Sequence, residues 1–391
     1  MPMLSIVIPA YNEEQGIADI CNRVLSVKND LLEAGIDSFE LLVVNDGSKD
    51  RTAEIVSQMA GVRLIDHEKN KGYGAALKTG FQEANGELIG FLDADGTYPP
   101  EYFPKLCKAI HDGADLVIGS RMAGEKSEMP LVRRLGNSFF AGFISLLGRQ
   151  QITDSASGMR VFKKEILEKV SPLPDGLNLT PIMSTRALHE DIKMVEIPIP
   201  YAERVGRSKL NAVRDGTVYI QSITWTVLSY NPVRVFGFLG IIGVVLAALI
   251  GIGMVISRLS GTTELGPWGV AALFAALVFG LSGISMFSLG VVFNYLVTLF
   301  YQRPIRQGLF GKPIFKSPLE KKFGWLGLIT FLLGLIVGFV SLALGISGWE
   351  VTRIWFYLLV SALVILTGLQ LMIYWVLIRV LEDLSAITVK C

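Results

Sequence analysis

Up to about Tyr230, short apolar runs alternate with polar segments of mixed charge; beyond it, long uninterrupted apolar stretches take over. In the first part, "LSIVIP", "LLVVND", "VRLIDH", "LIGFLDAD" and "DLVIGSR" are nearly continuous in aliphatic residues. Such runs read as strands buried on both faces. Between them, "NEEQGIADICNRVL", "SKDRTAEIVSQMA" and "GYGAALKTGFQEAN" read as helices. Asn12 is the expected N-cap of the first, with Glu13 and Glu14 in its first turn. Strands alternating with helices imply an α/β domain with a mainly parallel, doubly wound sheet. Ligands bind such sheets beyond the C-terminal ends of the strands.

In the second part, four stretches are long and apolar enough to cross a bilayer: Val235–Ser257, Val270–Leu299, Trp325–Leu344 and Trp355–Arg379. Ahead of them "LNAVRDGTVYIQSITWTVLSYNPVR" is too polar to span, and with Tyr219 and Trp225 it reads as a helix lying on the membrane. The expected domains are therefore 1–210 for the α/β unit, 211–233 for the interfacial segment and 234–391 for the membrane unit. Arg204, Arg207, Lys209, Arg214 and Arg234 precede the first span. The segment between the second and third holds Arg303, Arg306, Lys312, Lys316, Lys321 and Lys322 against one acid, Glu320. Positive charge marks the inner side, so both termini and the α/β domain are expected in the cytoplasm.

Composition agrees: 51% of residues are hydrophobic, and the mean hydropathy is +0.47. The net charge of +1 says nothing about nucleic acid, but the N-terminal half shows no basic stripe interleaved with aromatics, so no nucleic-acid partner is expected. Cys21, Cys107 and Cys391 are scattered and odd in number, which fits neither a disulfide framework nor a zinc site and suits a reducing compartment. The opening "MPMLSIVIPAYNEE" lacks the basic region of a secretory leader.

Candidate chemistry sits at the strand ends, in "PAYNEE", "NDGS", "NKGYG", "DADG" and "GSR". Each could be turn chemistry alone, but together they line one edge of one sheet. "NKGYGAALKTG" brings glycines and Lys71 to a helix start and completes neither a dinucleotide fingerprint nor a P-loop. Asp93 and Asp95 close a strand as Asp-x-Asp, which suits a hard divalent cation that bridges to phosphate oxygens. Acids, glycines and a metal point to a nucleoside diphosphate ligand.

The segments "SIVIPAYNEE", "VVNDGSKDRT", "NKGYGAAL", "DADGTYPP" and "SGMRVF" resemble the family-2 glycosyltransferases of the GT-A fold. "IPIPYAERVGRSKL" followed by spans is similar to the polyprenyl-phosphate branch, the dolichol-phosphate mannose synthase group. The resemblance covers about residues 4–234 and implies an inverting, Mg²⁺- or Mn²⁺-dependent transfer from a GDP- or UDP-sugar to a polyprenyl or dolichyl phosphate. It implies that Pro9, Tyr11, Glu13 and Asp46 frame the nucleoside, with Asp46 reading the base, and that Lys71 and Gly72 lie near base and ribose. Asp93 would meet ribose and metal, and Asp95 would be the principal metal ligand. Thr97 stands where the mannose synthases often carry Gln as a further metal contact, which leaves the sugar open.

A lipid phosphate is a ready anionic nucleophile and needs no histidine as base, so His67, His111 and His189 read as surface or helix-end residues. Its capture needs cations, for which Arg121, Arg160, Arg204, Arg207 and Lys209 are the candidates. Asp154 could orient acceptor or sugar, or act as a base. A processive polysaccharide synthase is the first rival, but its Gln-x-x-Arg-Trp motif is absent. A transporter or scaffold with a degenerate transferase domain is the second, disfavoured by spans with few ionisable groups. Gly334 and Gly338, four apart, permit close helix packing and so a homo-oligomer through Gly-rich faces, with ordinary glycine use in spans as the alternative.

Overall fold

The apolar runs form strands, and the order in which they pair sets the position of everything else. The computed structural model describes residues 2–122, 131–147, 151–190, 192–202, 212–262, 266–301, 322–349 and 351–388. It divides into two compact units, Met1–Val227 and Leu228–Cys391.

The first unit runs β1 (Met3–Ala10), α1 (Ile17–Ser26), α2 (Lys28–Glu33), β2 (Ser38–Asn45), α3 (Thr52–Ser57), β3 (Val62–Asp66), α4 (Tyr73–Glu83) and β4 (Leu88–Phe91). It continues with α5 (Phe103–His111), β5 (Leu116–Ser120), α6 (Leu131–Leu147), β6 (Arg160–Lys163), α7 (Ile166–Val170), α8 (Leu179–His189), β7 (Met194–Pro198) and α9 (Ala212–Tyr230). The sheet order is β3-β2-β1-β4-β6-β5-β7. Strands β2 and β4 flank β1 in parallel, with Ile8 opposite Val43 and Val7 opposite Phe91. The chain thus leaves β1 in both directions, and the crevice between the β1 and β4 ends is where a doubly wound sheet takes its ligand.

Strand β6 is the exception. It runs antiparallel to both β4 and β5, with Arg160 opposite Phe91 and Ile118. Its entry therefore lies at the edge where the other strands end, and the loop before it, residues 154–159, arrives beside the crevice.

Both faces of the sheet are covered. Ile6, Ile8, Leu41 and Val43 pack with Ile17, Ile20 and Val24 of α1 and with Phe103 and Leu106 of α5. On the other face Phe81 of α4 meets Phe91 at 5.7 Å and Phe162 edge-on at 5.3 Å. Each such phenylalanine contributes about 1.5–3 kcal/mol by burial, and Gly80 lets α4 approach so closely that a Cβ there would overlap Val7. Cys21 and Cys107 are buried free thiols pushed up to about 12 by burial, which makes them inert.

Two local expectations change. Helix α1 begins at Ile17, with Gly16 and no side chain at its cap. Asn12 instead takes a left-handed φ of 52°, and its side chain accepts from Lys49 N at 2.8 Å. In α9 Trp225 is exposed, as an interfacial helix requires, but Tyr219 turns inward, its hydroxyl donating to Leu177 O at 3.1 Å.

The second unit holds α10 (Pro232–Leu259), α11 (Pro267–Tyr301), α12 (Phe323–Ile346) and α13 (Val351–Thr388). All four are long and apolar enough to cross a membrane. Among the described residues, large side chains such as Leu249, Trp268, Phe339 and Ile373 are exposed along them, as a lipid-facing surface requires. Glycines set the helix contacts. A Cβ at Gly283 of α11 would lie 2.7 Å from Gly240 O and Val244 N of α10. Gly334 and Gly338 of α12 face Ile365 and Ser361 of α13, and Ser361 Oγ donates to Gly334 O at 3.0 Å. The small faces expected to suit close packing are thus used inside the unit.

Gly283→Leu is expected to destabilise the membrane unit by about 1–3 kcal/mol through overpacking, read as a lower unfolding midpoint in detergent. Gly253→Leu, where a Cβ meets nothing within 4 Å, should leave the midpoint unchanged.

Candidate active site

A cavity of about 420 Å³ opens at the C-terminal edge of the sheet, within the size range of small-molecule sites. Its lining includes Pro9 near the end of β1, Tyr11 and Glu13 after it, Asp46 after β2, Asn70, Gly72 and Tyr73 at the start of α4, and Asp93, Asp95 and Thr97 after β4. Arg121 follows β5, and Tyr98, Tyr201, Leu177, Thr180 and Tyr219 complete the wall. One lining thus unites most of the strand-end residues singled out above.

The loops are locked to one another before any ligand is considered. Asn12 N donates to Ser48 Oγ and Glu13 N to Thr52 Oγ1, both at 2.9 Å. Glu14 N donates to Asp50 Oδ2 and Arg51 N to Glu14 Oε2, both at 3.1 Å. The loops after β1 and β2 therefore move as one piece.

Asp46 is 3% exposed, and it accepts from Lys71 N at Oδ1 and Gly72 N at Oδ2, both at 2.9 Å. His67 places Nδ1 2.7 Å from the same Oδ1, and its Nε2 lies 2.9 Å from Thr79 Oγ1. The expectation of a surface or helix-end histidine fails at position 67, which is buried behind Asp46. Its one sequence signal is its place right after the β3 end. Gly72 has φ 106°, and its Cα packs against Asp175 O so closely that a Cβ would lie 2.5 Å away. The Lys71 side chain is exposed and outside the cavity lining, so this residue shapes the site through its backbone.

Asp93 and Asp95 both reach the cavity. Tyr73 Oη donates to Asp93 Oδ1 at 2.7 Å, and burial followed by the Asp93 charge raises that phenol well above its usual value, so it stays protonated. Thr97 donates to Asp95 Oδ1 twice, from Oγ1 at 2.6 Å and from N at 3.2 Å. Asp95 thus serves the turn and the cavity together. Among the described residues no three His, Cys, Asp or Glu side chains gather as a metal cluster.

Arg121 and Asp154, named separately from the sequence, form one unit. Arg121 Nε and Nη2 donate to Asp154 Oδ2 and Oδ1, each at 2.7 Å, and Arg121 N adds a third bond at 3.0 Å. Asn137 Nδ2 donates to Asp154 Oδ1 at 3.1 Å. The guanidinium lies 5.6 Å from the Tyr98 ring centre and 5.5 Å from that of Tyr201, within cation–π range. Asp154 is fully buried; burial pushes its carboxyl up, but Arg121's charge and N–H groups outweigh this and hold it below the usual carboxylate range.

Arg160 does not reach the cavity. It is fully buried on β6, donating to Ser157 O at 3.2 Å and Ser155 O at 2.7 Å, and burial lowers its pKa to about 10. The antiparallel run of β6 turns it under the loop it was expected to share with the ligand. Arg204, Arg207 and Lys209 lie outside the described residues. Among the lining residues to which sequence reading gave no site role are four tyrosines, Tyr73 at the start of α4, Tyr219 on α9, and Tyr98 and Tyr201 in loops, since no local pattern tells an aromatic which wall it will face.

The model of glycosyl transferase family 2 matches residues 5–171, and a Domain of unknown function (DUF8752) matches residues 232–390. A dolichyl-phosphate hexose transferase of Haloferax volcanii is 33% identical over 220 residues, 56% of this chain and 92% of that protein. A dolichol-phosphate mannosyltransferase of Pyrococcus furiosus is 34% identical over 215 residues, 53% of this chain and 59% of that protein. An undecaprenyl-phosphate 4-deoxy-4-formamido-L-arabinose transferase of Photorhabdus laumondii is 29% identical over 299 residues, 75% of this chain and 88% of that protein. Among solved structures, a mannosyltransferase of Pyrobaculum calidifontis in complex with GDP-Man and Mn²⁺ is similar with a TM-score of 0.42 and 15% identity, over 95% of this chain and 87% of that one. With a family-2 sheet in its first unit, four candidate membrane helices in its second and lipid-phosphate sugar transferases as relatives, the chain belongs to the polyprenyl-phosphate branch of glycosyl transferase family 2.

Proposed function

We propose that this protein transfers a sugar from a UDP- or GDP-linked donor to a polyprenyl or dolichyl phosphate at the cytoplasmic membrane face, inverting the anomeric centre, with Mg²⁺ or Mn²⁺ as cofactor. The observation that carries the reading is the shared lining: the paired carboxylates Asp93 and Asp95 and the cation Arg121 border one cavity.

The donor nucleoside belongs to the side built by Pro9, Tyr11, Glu13, Asp46 and Gly72. Asp46 has both oxygens engaged, so it acts there by holding the Lys71–Gly72 backbone in place. Asp93 and Asp95 fit a hard divalent cation, because a Mg²⁺-type site needs only one or two carboxylates and takes its remaining ligands from phosphate oxygens and water. When bound, such an ion would neutralise charge building on the diphosphate leaving group.

The acceptor supplies its own nucleophile. A phosphate monoester has a second pKa of about 6 and is largely dianionic at neutral pH, so no side chain need take a proton from it. Arg121 is the cation on the cavity wall among the described residues, and Arg204, Arg207 and Lys209, outside the described residues, are assigned to acceptor capture by their motif alone. Asp154, buried and bonded through both oxygens, is suited to aim the Arg121 guanidinium rather than to act as a base. Arg160 is assigned to the 155–157 loop, whose carbonyls its guanidinium holds.

Incubation of the full chain with radiolabelled nucleotide sugars, polyprenyl phosphate and Mg²⁺ or Mn²⁺ should move label into lipid. Asp95→Asn, which keeps an acceptor for Thr97, is expected to lose transfer by about 10²–10³-fold at a nearly unchanged unfolding midpoint; activity within a few-fold of the parent would overturn the assignment.

Proton NMR of the product from an α-linked donor should show the β anomer, and a retained anomer would contradict displacement by a single nucleophile.

The Arg121–Asp154 pair predicts a pH signature. Asp154's folded pKa lies below its unfolded value of about 3.9, so its stabilisation is fully present above that value and is lost as pH falls through the folded one. Asp154→Asn should lower the unfolding midpoint at pH 7 and flatten its fall below about pH 4. Equal acid limbs in parent and variant would refute the pairing.

A further inference from the structure

The geometry points to Tyr73 and Thr97 as a pair of positioning hydroxyls that set the orientation of the Asp93 and Asp95 carboxylates for a divalent cation bound with the donor diphosphate. The inference rests on the metal reading proposed above and goes beyond it, since neither hydroxyl is a ligand in that reading.

The two carboxylates are held in the same way by unrelated segments. In each, one neighbouring hydroxyl donates to Oδ1, Tyr73 Oη at 2.7 Å and Thr97 Oγ1 at 2.6 Å. Bonds of that length to a carboxylate are of the charge-assisted kind, about twice as strong as neutral ones. An aspartate χ2 is otherwise broad, and one short bond to Oδ1 fixes the direction in which Oδ2 faces. Mg²⁺-type ions demand near-octahedral geometry, so carboxylates fixed beforehand spare the ordering cost of binding.

Each hydroxyl is itself fixed from behind. Tyr73 opens α4 between two glycines that press on the 174–176 backbone: a Cβ at Gly72 or Gly74 would collide with Asp175 O or Pro174 O. Ala75 N donates to Asp175 O at 3.1 Å and completes that seam. Thr97 is 1% exposed, and its carbonyl accepts from Ala202 N at 3.2 Å. Asp93 has a further wall in Gly158, where a Cβ would overlap the carboxylate. Gly158 N in turn donates to Tyr98 Oη at 2.7 Å. The loop before β6 thereby closes the side of Asp93 that Tyr73 leaves open.

The alternative is that both hydroxyls merely satisfy a buried acceptor. Removing them would then cost stability without a selective effect on metal. The test uses the purified full chain, Mn²⁺ titrated by EPR in the presence of UDP and, separately, GDP, with the unfolding midpoint measured for every variant. Tyr73→Phe and Thr97→Val are each expected to raise the Mn²⁺ dissociation constant about tenfold, the scale of a lost hydrogen bond to a charged group. In turnover the apparent KM for Mn²⁺ should rise alike, while kcat at saturating Mn²⁺ stays within a few-fold. Thr97→Ser keeps the hydroxyl and should bind Mn²⁺ like the parent.

Parent-like Mn²⁺ affinity in both Tyr73→Phe and Thr97→Val overturns the inference and leaves the metal reading standing. Equal weakening in Thr97→Ser and Thr97→Val overturns it too, because a variant that keeps the hydroxyl would then bind the metal no better than one that lacks it. A parent chain that retains no Mn²⁺ with either nucleotide overturns the metal reading and the inference with it.

Discussion

A carboxylate at the end of a buried strand must be compensated where it stands, because the sheet behind it is apolar and an unpaired charge there is costly. This chain meets that constraint for four carboxylates at one sheet edge, and for all but Asp95 the donors come from another segment. Asp46 takes two backbone N–H groups at the start of α4, and Asp93 takes the Tyr73 hydroxyl. Asp95 takes Thr97, and Asp154 takes the Arg121 fork. Since each donor belongs to a loop or helix start, satisfying the charges also ties the loops together. The cavity wall is rigid for the same reason that its charges are tolerable.

The same constraint separates residues that touch the cavity from residues that support it. Asp46, His67 and Thr79 form a chain of contacts leading back from the wall into the domain. Arg160, wholly buried, holds the loop whose glycine stands against Asp93. Neither His67 nor Arg160 lines the cavity, yet each keeps in place a backbone or a side chain that does. The reaction class agrees with this economy, since an acceptor that is already anionic asks the protein for cations and fixed geometry and not for a base.

Much of the first unit was legible in the residues. The strands β1 to β5 lie on the apolar runs; for β1, β2, β4 and β5 this is because a strand buried on both faces must be nearly continuous in apolar side chains, whereas β3, at the sheet edge, is only partly buried. The strand-end motifs converge on one edge because parallel strands all end there. Less legible was anything set by pairing at a distance. No local signal in "SGMRVF" announces that β6 runs against its neighbours, and that direction decides that Gly158 faces Asp93 while Arg160 turns inward. Likewise "NEEQG" has the composition of a helix start, but Asn12 and Glu14 bind the loop after β2, so the helix begins only at Ile17.

By itself the sequence determined which residue types stand at the strand ends, the parallel α/β character of the first unit and the four apolar segments of the second. These follow from local composition and period, which the chain carries wherever it goes. The tertiary structure decided which of those residues meet. It joined Arg121 to Asp154, aimed Tyr73 and Thr97 at the two aspartates, placed His67 under Asp46 and turned Tyr219 from the surface into the wall. Apart from Thr97, which stands two residues from Asp95 in the same turn, each of these is a contact between segments far apart in the chain, fixed by strand order and by glycines that let backbones touch, and such contacts cannot be read from any one stretch of residues.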